Sequence, residues 1–141
     1  MTGLRIAILP QRLAVCRLAP DAPLPSWIGG TFTSVTRTDE ELSIICDEDA
    51  VPGAIIAGMQ AERGWRAMRV IGPIPFEVTG VAAALVSPLA AAGISVFLLA
   101  TFDTDYLLLK EAVFARALDI LRSAGHDMGP EMGHDTGRDV N

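Results

Sequence analysis

Lysine is almost missing from this chain. Lys110 stands alone against ten arginines, and the formal net charge is −6. A protein whose main task is to grip phosphate backbones needs a basic stripe, commonly interleaved with aromatics; none is present. Cysteine is nearly as scarce. Cys16 and Cys46 each sit in an apolar, strand-like run with no second cysteine or histidine at metal-ligand spacing, so both read as reduced core residues. No breaker-free apolar run reaches the ~18 residues that a spanning helix needs. The first residues also lack the charged head, apolar stretch and small-residue cleavage site of a signal peptide. The expectation is a cytoplasmic protein that touches neither membrane nor nucleic acid. No phosphate loop, reactive cysteine or companion histidine accompanies the paired acids near the end of the second half, which argues against an enzyme and against a cofactor.

The abundant component is apolar. Half of the 141 residues are hydrophobic, enough for one ordinary domain or two very small ones. Residues 4–9 and 13–18 have strand character on either side of Pro10. Residues 19–30, broken by Pro20, Pro23 and Pro25, cannot make a regular helix. The threonine-rich segment 31–38, the acidic turn at Asp39, Glu40 and Glu41, and the apolar run 42–46 predict a hairpin, followed by a short acidic helix start that Pro52 cuts off. Residues 53–64 are ambiguous, a short strand and a connection, and a strand over 65–71 comes next.

Two helices are predicted further on. Val81, Leu85, Leu89 and Ala92 share one face, with Thr79 as the expected N-cap, Gly93 as the stop, and Pro88 as the source of a kink. Phe114, Ala117, Leu118 and Leu121 form the second stripe, ending at Gly125. Between them lie strands over 94–100 and 106–110. The first is apolar on both faces, so its Phe97 and Leu99 need cover from elsewhere. The tail 126–141, rich in Gly, Asp, Met and His, reads as disordered; a metal site of His126, Asp127, His134 and Asp135 would have to order it at an entropic cost.

Displacing the chain by 63 positions lays Thr38 over Thr101, Glu40 over Asp103 and Glu48 over Glu111. Both segments read threonine, acidic turn, apolar strand, acidic helix start. That pattern implies two copies of one small α+β unit, the first with a degraded helix. A ferredoxin-like βαββαβ copy needs four strands, yet the second half offers three, which points to residues 4–9 as the strand that completes its sheet.

The words RTDEELSIICDEDAVP, ERGWRAMRVIGPIPFEVTG and GISVFLLATFDTDYLLLKE carry a resemblance. The second half resembles an ACT domain, and the whole chain resembles the tandem ACT-domain proteins related to the CASTOR arginine sensors. The resemblance implies an α+β fold of two ferredoxin-like ACT units in tandem, over residues 1–62 and 63–125. It implies non-catalytic, regulatory binding of a free amino acid at interfaces between ACT units, with output through self-association or a regulated partner protein. By this resemblance Glu77, Val78, Thr79 and Gly80 meet the ligand's ammonium group, and Asp105, with Thr101 and Phe102 beside it, faces a basic side chain. Two features depart from the sensors: they carry four units in one chain, so two units here imply a homodimer, and a histidine common after the aspartate is Tyr106 here.

The residues themselves leave alternatives open. Gly80 can admit a carboxylate to first-turn helix amides, or it can serve a tight helix start alone. Asp103 and Asp105 would share a side in an extended turn and could hold a guanidinium or ammonium, or Asp-Thr-Asp can be ordinary turn chemistry. The same site can be read as a vestigial pocket in a structural interaction module. Trp27 and Trp65 read as core anchors, and Arg63, Arg66 and Arg69 as the solvated edge of a strand. If residues 4–9 complete the second sheet, deleting residues up to Pro10 lowers thermal stability markedly; an unchanged melting curve would remove that strand from the sheet.

Overall fold

The computed structural model describes residues 3–53 and 58–131. The expectation of a connection within 53–64 falls partly outside the described residues. The chain divides into two compact units: Gln11–Trp65, and Met1–Pro10 together with Arg66–Asn141. Residues 3–10 thus belong with the C-terminal half.

In the Gln11–Trp65 unit, β2 (Leu13–Leu18) pairs antiparallel with β4 (Leu42–Asp47), and β4 pairs antiparallel with β3 (Ser34–Arg37). A single 3-10 turn, η1 (Glu48–Ala50), comes after β4, with Asp47 capping it through the Asp49 amide. No α-helix occurs among this unit's described residues, in keeping with the prolines of 19–30. Its core gathers Ala14, Cys16, Leu18, Leu42, Ile44, Cys46 and Val51, with Trp27 packed against it as an anchor. Strand β5 (Gln60–Val70) starts earlier than expected; its first part pairs with β2, and Gly64 at φ 79° lies where that register shifts, as a bulge requires.

The last part of β5 belongs to the other unit, where Met68, Arg69 and Val70 pair antiparallel with β1 (Arg5–Ile8). The remaining elements are α1 (Val81–Ala91), β6 (Phe97–Ala100), β7 (Asp105–Lys110), α2 (Glu111–Ser123) and β8 (Asp127–Glu131). β7 pairs with both β5 and β6, and β8 runs parallel to β1. The strand order is β6-β7-β5-β1-β8: a ferredoxin-like βαββαβ sheet with β1 inserted between its first and last strands.

The expected disordered tail is therefore corrected over Asp127–Glu131, which form β8. The signal was weak because Gly129 and Pro130 are poor strand formers, and the segment is held by backbone pairing, Asp127 N–H donating to Leu4 O at 2.8 Å. Among the described residues no group of three metal-ligand side chains occurs; His134 and Asp135 lie outside them. No helix among these residues is long and apolar enough to cross a membrane.

Both helices lie on one core, in which Val81, Leu85 and Leu89 of α1 and Phe114, Ala117 and Leu121 of α2 join Ile6, Ile8, Met68, Val70, Leu107 and Leu109. Each helix ends on a left-handed glycine. Ile94 N–H bonds Leu89 O past Gly93, and His126 N–H bonds Leu121 O past Gly125. α1 runs as one helix through Pro88. On β6 the exposed side chains are Leu98, opposite Leu107, and Ala100, while Phe97 and Leu99 are half-buried, the reverse of the expectation. Arg66 is also corrected. It is buried rather than a solvated edge, its guanidinium lying 4.6 Å from the Phe114 ring centre, donating to Leu9 O and paired with Glu111. Arg63 donates to the carbonyls of Glu48, Val51 and Pro52, closing the end of η1.

The two thiols behave as buried groups. Burial pushes Cys16 above its ordinary range, with Cys46 adding and Arg63 opposing; burial likewise pushes Cys46 up, against a backbone hydrogen bond from Gly29. At neutral pH the folded protein should therefore react with a thiol reagent far more slowly than the urea-unfolded chain. Equal rates would mean that the core around β2 and β4 opens readily.

Candidate functional site

The site forms where two rim segments of the C-terminal unit meet. One is the loop 72–80 between β5 and α1; the other is the turn 101–104 between β6 and β7. The turn is self-bonded: Thr101 N–H and Oγ1–H both donate to Thr104 O, and Thr101 Oγ1 accepts from Thr104 N–H. Two further bonds fasten it to the neighbouring segment. Ile74 N–H donates to Asp103 O at 2.7 Å, and the buried Thr104 hydroxyl donates to Val70 O at 2.6 Å. Gly72 is required at the join. A Cβ there would lie 2.9 Å from Ile74 N, closer than such a contact tolerates, and 3.2 Å from Asp103 O, a tight one.

Two adjoining cavities open between these segments. One of about 290 Å³ is walled by Pro73, Ile74, Pro75, Phe76 and Phe102, with Asp103 at its edge. The other, about 220 Å³, adds Val78, Val81, Thr101 and Asp105. Phe76 and Phe102 meet edge to face with ring centres 4.9 Å apart, yet they are 73% and 79% exposed. No other described residue donates a hydrogen bond or ion pair to the side chains of Glu77, Asp103 or Asp105.

Of the residues named from sequence, Val78, Thr101, Phe102, Asp103 and Asp105 line the smaller cavity together. Glu77, Thr79 and Gly80 are exposed on the same loop but do not line it. Thr79 is not the N-cap. Gly80 holds that position at φ 83°, a left-handed conformation that threonine avoids, and no side chain caps the helix. The first-turn amides from Val81 to Ala83 therefore have no partner within the helix, and Val81 lies on the cavity wall. The sequence places Phe76 in the rim loop, but the wall formed by Pro73, Ile74 and Pro75 beside it has no local signal of its own. Thr104 was also missed, for a lone threonine in a turn gives no hint of its reach to β5.

The other unit holds a counterpart. Thr38 N–H donates to Glu41 O at 2.9 Å, and Thr38 Oγ1 accepts from the amides of Glu40 and Glu41, reproducing the bonding of the 101–104 turn. At the position corresponding to Asp105 stands Leu42, fully buried. The turn is shared, but the aspartate that follows it belongs to the C-terminal unit.

Comparison with known proteins agrees with this architecture. The family model of the ACT domain matches residues 60–123, and a model of an N-terminal domain matches residues 11–54. The chain is 31% identical over 121 residues to the human protein CASTOR3P, covering 77% of this chain and 74% of that one. It is 30% identical over 108 residues to the human cytosolic arginine sensor for mTORC1 subunit 1, covering 74% of this chain. The chain spans about a third of that sensor's length, 32%. A crystal structure of an Agobacterium tumefaciens protein superposes with a TM-score of 0.85 at 35% identity, covering 95% of this chain and 98% of that chain. The regulatory subunit of aspartate kinase from Thermus thermophilus shares the fold at a TM-score of 0.57 and 13% identity, covering 81% of this chain and 93% of that one. The chain is an ACT-domain protein. Within that class it belongs to the family that includes the cytosolic arginine sensor and CASTOR3P.

The clamp between the rim segments is open to test. Thr104→Val leaves the Val70 carbonyl without its hydroxyl donor and should cost about 1–3 kcal/mol in denaturant unfolding. A loss below about 0.5 kcal/mol would show that the rim segments hold together without it.

Proposed function

We propose that this chain is a non-catalytic regulatory protein that binds a free amino acid in the cleft between loop 72–80 and the 101–104 turn. The observation that carries this reading is the convergence of three unlike features on one cavity. Asp103 and Asp105 supply carboxylates with no donor among the described residues, the uncapped start of α1 supplies amide donors, and Ile74, Val78 and Val81 supply an apolar wall. An amino acid presents the matching set. Its carboxylate suits the positive end of the helix, its ammonium or a basic side-chain head suits the acids, and an aliphatic stem suits the wall. The relative described as an arginine sensor supports a basic side chain, directed at Asp105. Glu77, Val78, Thr79 and Gly80 meet the ligand's backbone end in this reading, and Thr101, Phe102 and Asp103 flank its side chain.

The exposure of Phe76 and Phe102 leaves one side of the cleft uncovered. A second copy of the chain closes it in this proposal, so that ligand binding and homodimer formation support each other and transmit the signal to a regulated protein. The same exposed pair favours one other reading, a protein-interaction module whose cavity holds no ligand.

A thermal-shift screen against the standard amino acids separates the two. A ligand at 100 times its dissociation constant adds about 2.7 kcal/mol of stability, a rise of several degrees. The expected result is a rise with arginine or lysine that disappears in Asp105→Ala. No rise with any amino acid, with dimerisation intact, favours the interaction module.

A further inference from the structure

Pro88 has no amide hydrogen, so the Ala84 carbonyl one turn earlier loses its partner within α1. The structure supplies a substitute from the far end of the unit. His126, 7% exposed, places Nε2 3.0 Å from Ala84 O. Its other ring nitrogen, Nδ1, lies 3.1 Å from the Leu4 amide nitrogen. The roles are set by the partners. A carbonyl can only accept and an amide N–H can only donate, so Nε2 carries the proton and Nδ1 accepts.

The surroundings hold the ring in this position. Asp127 N–H donates to Leu4 O, and a Cβ at Gly3 would collide with the Gly125 carbonyl, so the start of β1 lies directly against residues 125–127. On the other side, Ala84 N–H donates to Gly80 O at 2.9 Å. Ala84 thereby links His126 to the residue that begins the helix at the cleft.

We infer that His126 is a positioning residue: its imidazole replaces the hydrogen bond that Pro88 removes and ties the first turn of α1 to Leu4, just ahead of β1, setting the direction of the amides at the helix start. The bond itself is independent of any ligand; its bearing on binding rests on the amino-acid reading of the cleft. A kinked helix was the sequence expectation at Pro88, and this contact lies too far along the chain for local patterns to reveal it.

The test is a double-mutant cycle in the full chain, read by thermal unfolding, with His126→Phe and Pro88→Ala as the single variants. His126→Phe keeps a ring in place but leaves Ala84 O and Leu4 N–H unmet. Pro88→Ala restores an amide donor to Ala84 O. The expected result is a large drop in melting temperature from His126→Phe in the natural background, and a clearly smaller one beside Pro88→Ala. Additive effects would overturn the inference. Should His126→Phe fail to fold, nitrogen-15 spectra of the natural protein decide the matter: His126 protonated at Nε2 alone supports the bond, and protonation at Nδ1 overturns it. The amide resonances from Val81 to Ala83 add a readout that mere core filling would not move; they should shift in His126→Phe and return toward their natural positions in the double variant. A thermal screen that finds no amino-acid ligand would remove the binding role and leave this result standing.

Discussion

The hydrogen bond from the Ile74 amide to the Asp103 carbonyl brings together two segments that are far apart in sequence, and the candidate site exists because of it. Without this bond, and the Thr104 hydroxyl on Val70 O beside it, the loop after β5 and the turn before β7 would be two separate rim loops. With them, an apolar wall from one segment faces two carboxylates from the other. The joint depends in turn on Gly72, since any side chain there would press on both bonded groups. One backbone bond and one buried hydroxyl therefore position the cleft, and the carboxylates of Asp103 and Asp105 take no part in either. Such an arrangement suits a ligand site, where polar groups must be held without being consumed.

The helix beside the cleft shows a related economy. Gly80 starts α1 without a side-chain cap, leaving its first amides without a partner in the helix, and Pro88 removes a bond further along the same helix. A helix weakened at both places relies on tertiary contacts. Leu85 and Leu89 anchor one face in the core, while His126 meets the orphaned carbonyl. Both glycines that end the helices, Gly93 and Gly125, return the chain sharply to the sheet. The second of them delivers His126 to its place.

The two units retain a common turn although their sequences have diverged. Thr38 and Thr101 organise the same pattern of backbone and hydroxyl hydrogen bonds, which is local chemistry that survives change elsewhere. The first strand residue after each turn differs, with Leu42 buried in one unit and Asp105 lining a cavity in the other. The shared turn is thus a matter of folding. The aspartate is the feature that distinguishes the C-terminal copy as a place for a polar ligand.

The elements with strong local signals were legible in the residues alone. Both helices show as apolar stripes that end in glycine, and the hairpins as threonine-rich and apolar runs around acidic turns. The internal repeat and the α+β class emerge from the same patterns, because periodicity and turn chemistry act over a few residues. The acids of the 101–105 turn were legible too, as was the prominence of Gly80. Other features depended on distant partners. Arg66 is charged yet buried, because Phe114, Leu9 and Glu111 happen to surround it. β8 forms from poor strand residues because β1 offers it an edge. Its place in the sheet, the cavity wall opposite Asp105, and the tautomer of His126 were decided by tertiary structure alone. In each case the deciding group lies many residues away, and a hydrogen bond or a buried contact between such groups leaves no periodic trace in the sequence.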